Sequence, residues 1–162
     1  MIEKLDFLVR FWELRARWEA LGVPLSDRER IELLSLVQLV GNEGRSRERG
    51  PAALNRRSLP LHMIARGGFL AGDLREVYAE LLIVAAAQRL EEGERTVVQV
   101  TDVAAGHEYT IPCVVVWSHE AVPCAIALTV DGIPSRTDIV LPLANAWESP
   151  LGMGAVATRG YA

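Results

Sequence analysis

The chain reads as an α+β protein: an N-terminal two-helix hairpin followed by a small antiparallel β-barrel. Two observations predict this. Over the first 40 residues the apolar side chains recur at helical spacing, broken once at Gly22 and Pro24. From residue 59 onward, and most clearly over residues 81–134, strand-length apolar runs alternate with glycine-containing turns. The expected organisation is a helical hairpin over residues 1–41, an arginine-rich linker over 42–58, a barrel over 59–137 and a tail over 138–162.

The first helix is expected over residues 2–21. Phe7, Phe11, Leu14, Trp18 and Leu21 step by four and three along one face, and Leu5, Leu8 and Trp12 form an adjacent apolar line. Gly22 and Pro24 end it. The second helix opens on a capping box, with Ser26 as N-cap and Glu29 three residues on. Ile31, Leu33, Leu34, Leu36, Val37, Leu39 and Val40 give it a broad apolar face, and Gly41 is the expected stop. The short link predicts antiparallel packing. Both faces are wider than one contact needs, so the hairpin packs on its own barrel or on another copy of the chain. Phe11, Trp12 and Trp18 are the candidate interaction anchors, because tryptophan is enriched where interfaces are strongest.

The linker holds Arg45, Arg47, Arg49, Arg56 and Arg57 among glycines and Pro51, which predicts a loop. Strands follow in "LPLHMIARG", in "DLREVYAELLIVAAA" (two strands or one bent strand), in "ERTVVQVTDV", and in the pair "HEYTIPCVVVWS" and "VPCAIALTVDG". The segment "RGGFLAG" is expected to turn the chain between strands, with Phe69 as a plug or an exposed contact. Val98 and Val100 alternate with Gln99 and Thr101, the pattern of a strand with one wet face. "CVVVW" does not alternate and reads as buried on both sides, with Trp117 in the core. The tail adds a strand or covers the barrel.

Composition narrows the function classes. Half of the 162 residues are hydrophobic and 23% are charged, as in a folded globular domain. The net charge of -4 argues against binding a nucleic-acid polymer. Glu3 and Asp6 break what would be a signal peptide's apolar start, and no run approaches the ~18 apolar residues of a membrane span. A cytoplasmic location and no membrane contact are expected, with Cys113 and Cys124 as reduced, buried thiols. His62, His107 and His119 lack partners at ligand spacing, so no metal is expected. Ser118, His119 and Asp102 have no "G-x-S-x-G" elbow to make them catalytic, and no enzyme is predicted.

The order of cues from residue 59 to 133 resembles the PilZ family. An apolar strand precedes a "D/N-x-S-x-x-G"-like segment; Leu90 and Gly93 follow as "L-x-x-G"; an alternating strand covers 96–100; Val115 and Trp117 give "V-x-W"; and "AIALTVDGI" closes the set. The resemblance implies a β-barrel and, in family members that keep both binding motifs, a site for cyclic di-GMP. One motif is "R-x-x-x-R", whose guanidinium groups grip phosphates. The other is the "D/N-x-S-x-x-G" segment. Here Glu76 stands for Asp or Asn, Tyr78 for Ser, and Leu81 for Gly. Arg45 and Arg49 have the first motif's spacing but lie far upstream, while Arg56 and Arg57 are near but adjacent. The resemblance therefore implies a divergent member that has lost its nucleotide site. It would act without a cofactor as an adaptor towards protein partners of a signalling or motility system, with a homodimer as a further option. The alternative it leaves is a cyclic di-GMP receptor using Arg45, Arg49, Arg56, Arg57 and Glu76.

Overall fold

The computed structural model describes residues 1–46 and 58–139. Its order is α1 (Ile2–Glu19), α2 (Asp27–Ser46), then β1 (Leu59–Ala65), β2 (Gly68–Val77), β3 (Leu81–Ala86), β4 (Arg95–Asp102), β5 (His107–His119), β6 (Cys124–Val130) and β7 (Ser135–Asp138). The strands pair in the order β4-β1-β2-β3-β6-β5-β7, and β4 also pairs with β5. That last pairing closes a ring of six antiparallel strands and leaves β7 as an extra strand on β5. Closure leaves the ring without a free edge.

Period-2 alternation fills the barrel. In β4 the inward residues are Thr96, Val98, Val100 and Asp102, and the wet face expected at Gln99 and Thr101 is partly exposed. Leu61, Met63, Leu74, Leu82, Val84, Tyr109, Ile111, Ile126 and Leu128 join them in one core, and Leu5 and Leu8 of α1 belong to the same cluster. Gly72 permits close pairing of β2 with β3, since a Cβ there would stand 2.7 Å from the Ala85 carbonyl oxygen.

Several expectations hold. Glu29 Oε2 accepts from the Ser26 backbone N–H at 2.9 Å and Ser26 Oγ faces the Glu29 N–H at 3.3 Å, which is the capping box read from the sequence. Gly22 takes φ +59, and the Val23 N–H reaches back to the Arg17 carbonyl at 3.0 Å, a glycine-terminated helix end. Cys113 and Cys124 are buried and unbridged, and burial lifts the Cys113 thiol to about 12.

Others are corrected. α2 does not stop at Gly41 but runs to Ser46, so Arg45 is helical rather than part of a loop; a glycine ends a helix only where a left-handed residue redirects the chain, and otherwise it merely weakens the turn. The turn expected in "RGGFLAG" is present but shorter: Arg66 and Gly67 turn the chain between β1 and β2, β2 already begins at Gly68, and Phe69 is 80% exposed, the second of the two roles expected for it. β5 alternates buried and partly buried positions up to Val115, so "CVVVW" is not buried on both sides. A register shift between Val115 and Trp117 then turns Val116 and Trp117 outward. Trp117 is 44% exposed against the His119 ring and is not core. In α1 the outer ends of the expected face, Trp18 and Leu21, are exposed, whereas Leu5, Leu8, Phe11 and Leu14 are buried. β7 lies almost wholly ahead of the tail (residues 138–162) expected to add a strand or cover the barrel, and residues 140–162 lie outside the described residues.

Candidate functional site

Residues 76–81, the segment compared with the second PilZ motif, form the end of β2, the connection to β3 and the start of β3, and α1 lies directly upon the connection. Trp12 Nε1 donates to the Ala79 carbonyl at 2.7 Å. Arg15 pairs with Glu80 at 3.0 Å. Lys4 Nζ lies 3.5 Å from the Val77 carbonyl and 5.7 Å from the centre of the Tyr78 ring. Tyr78 donates its hydroxyl to Glu76. The connection is also held from below, where the Glu80 carbonyl accepts from the Val130 N–H and from Thr129 Oγ1, each at 3.1 Å. Ala79 is buried. The side chains at two of the motif positions, Glu76 and Tyr78, are thus hydrogen-bonded to each other, while the backbone around them is held by α1 and β6.

The other residues singled out for the nucleotide do not assemble there. Arg45 lies in the last turn of α2, and Arg49, Arg56 and Arg57 lie outside the described residues. The arginine that the structure does bring to this segment is Arg15, whose guanidinium stands 5.1 Å from the centre of the Trp12 ring. Leu81, at the position of the motif glycine, pairs with Thr129 at the start of β3.

A second set of contacts fixes the start of α1. Asp6 Oδ1 accepts from the Tyr109 hydroxyl and from Arg136 Nη1, each at 2.8 Å. Tyr109 is fully buried, and burial, together with the Asp6 carboxylate, pushes its hydroxyl up to about 12. Asp6, Tyr109 and Arg136 are far apart in sequence, and no spacing rule marks them as a group. Beside them a charged groove of about 590 Å³ runs between α1, α2 and β7. Its charges are internally matched: Arg10 forks onto both oxygens of Glu32 at 2.9 Å and Arg136 holds Asp6.

The helix hairpin is held by polar contacts and leaves apolar surface free. Arg10–Glu32 and Arg17–Glu29, the latter at 2.6 Å, tie α1 to α2. No residue of α2 from Asp27 to Val40 is buried, and Ile31, Leu34, Val37 and Leu39 are 66%, 65%, 50% and 52% exposed. Trp18 at the end of α1 is 52% exposed and lies 5.5 Å under the Arg30 guanidinium. Of the three aromatic anchors, Phe11 is buried, Trp12 is committed to the β2–β3 connection, and Trp18 alone presents a large outward surface.

Asp102 and His107, weighed for catalytic and metal chemistry, have local partners. Asp102 Oδ1 accepts from the Ala104 and Ala105 N–H groups at 3.1 and 3.2 Å and so organises its own turn. His107 Nδ1 faces Asp138 at 2.9 Å, and His62 and His119 are exposed. Among the described residues no three His, Cys, Asp or Glu side chains converge as metal ligands, and no helix is long and apolar enough to cross a membrane.

No protein-family model matches the chain, and no curated protein matches it in sequence. Among solved structures, it is similar to the crystal structure of the YcgR-N domain of YcgR from Escherichia coli. The identity is 13%, the TM-score is 0.36, and the match covers 58% of this chain and 83% of that one.

Proposed function

We propose that the protein is a PilZ-like, non-enzymatic adaptor of bacterial signalling or motility, in which the nucleotide locus has been converted into a seat for the chain's own first helix. The support is chemical. A receptor for cyclic di-GMP needs a small residue for close approach, a short polar side chain to read the guanine edge, and free guanidinium groups for the phosphates. Leu81, Tyr78 and Glu76 supply none of these in the required size. The observation that carries the reading is the α1 seat, where Trp12, Arg15 and Lys4 occupy the connection over Val77 to Glu80. Signalling through such a domain then rests on protein partners.

Calorimetric titration of the folded full chain with cyclic di-GMP tests this. The expected result is no heat and no change in melting temperature at millimolar nucleotide. Binding would stabilise the fold by about 2.7 kcal/mol at a hundredfold excess over Kd. Micromolar binding that is lost in Arg49→Ala or Arg57→Ala would establish the receptor reading instead.

A further inference from the structure

We infer that the outward face of α2 is the seam of a homodimer in which the α2 helices of two copies pack antiparallel about a two-fold axis. This goes beyond the adaptor reading and does not depend on it. From Ile31 to Val40 only Glu32, Ser35 and Gln38 are polar, so the helix is apolar nearly all round. Such a helix is ordinarily buried on all sides. Yet its inner side meets α1 and its outer side meets nothing among the described residues.

The amount of surface fits a second copy. Ile31, Leu34 and Val37, with Trp18 beside them under Arg30, are between 50% and 66% exposed, while Leu39 turns towards the other flank. Ile31, Leu34, Val37 and Trp18 together present roughly 500 Å² of surface, within the range of the largest patch on a typical monomer. A standard interface buries about 800 Å² per partner, about 65% of it apolar in homodimers, or roughly 500 Å². One copy therefore carries about the apolar area that an isologous dimer needs.

Charge sets the orientation. The middle of the face offers only the uncharged Ser35 and Gln38 between its apolar residues, so it holds no charge by which to select an acidic or basic foreign partner. The charges gather in the first turn, at Asp27, Arg28, Glu29 and Arg30. A parallel pair would set Arg30 beside Arg30. An antiparallel pair moves the two first turns to opposite ends, and places Ile31 of one copy near Gln38 of the other and Leu34 close to the axis.

The test is light scattering during size exclusion of the full chain at tens of micromolar. The expected mass is twice that of the chain, falling to one chain in Leu34→Glu with an unchanged melting transition at high dilution. If Leu34→Glu fails to fold, Leu34→Cys carries the test. Cys113 and Cys124 are buried, so under mild oxidation the expected product is a dimer linked at position 34. Mixing Ile31→Cys with Gln38→Cys should cross-link one variant to the other faster than either to itself. A wild-type chain that is monomeric at that concentration overturns the seam and assigns the face to another occupant. A dimer that survives Leu34→Glu, or self-linking of Ile31→Cys ahead of the mixed product, overturns this geometry.

Discussion

α1 and α2 both carry apolar residues at helical spacing, yet their surroundings are opposite. Leu5 and Leu8 of α1 are 0% exposed and belong to the barrel's core. The best apolar residues of α2, Ile31 and Leu34, are about two-thirds exposed. The difference lies in what each helix meets. α1 reaches the barrel through Trp12, Lys4 and Arg15 at the β2–β3 connection and through Asp6 at Tyr109 and Arg136. Among the described residues α2 packs chiefly on α1, through two ion pairs and the Arg30–Trp18 contact. Periodicity establishes that a helix has an apolar face; topology decides whether this chain covers it.

The contrast can be broken from the α1 side with the largest effect. Leu8→Ala should cost about 2–5 kcal/mol in denaturant unfolding, because it opens a cavity where helix and barrel share one core. An effect near zero would mean that α1 is not part of the cooperative unit. Tyr109→Phe should cost roughly 1.5 kcal/mol by removing a hydrogen bond to the Asp6 carboxylate. It should also flatten an alkaline loss of stability. The Tyr109 pKa is raised in the fold, so its contribution is complete below the ordinary value of 10 and fades as pH rises towards about 12.

Smaller effects should come from the hairpin. Ser26→Ala should cost about 1 kcal/mol through the lost cap. Glu29 is held down to about 2 by the Ser26 N–H first and by Arg17 next. Its contribution is therefore present above the ordinary 4.5 and is lost as pH falls towards about 2. Arg17→Met should weaken that acid dependence, as read from melting temperature against pH, whereas Ser26→Ala keeps the N–H and removes only the lesser Oγ contact. Smallest of all, Leu34→Ala should change the unfolding free energy of dilute protein by less than about 0.5 kcal/mol, the range for an exposed site.

Much of the architecture was legible because it is local. The capping box at Ser26 and Glu29, the glycine stop at Gly22 and the alternation through Val98 and Val100 each involve neighbours in sequence. The errors have local causes too. Gly41 was expected to end α2, but glycine permits a turn without imposing one. Trp117 leaves the core because a one-residue bulge shifts the register, which apolar character alone does not reveal. At the candidate site, the misfit of Glu76, Tyr78 and Leu81 was legible as side-chain size. The seating of α1 over the β2–β3 connection was not. Trp12 meets Ala79 across 67 residues and Asp6 meets Tyr109 across 103, separations that no periodicity encodes.

The claim that α1 is a structural part of the barrel while α2 is a docking element is tested most directly by amide hydrogen exchange at two protein concentrations. The backbone amides of α1 should be protected as strongly as those of β4 and β5 at both concentrations, and those of α2 should gain protection as concentration rises. Exchange of α1 as fast as that of α2 in dilute protein would contradict the account, because the helix over the β2–β3 connection would then open independently of the barrel.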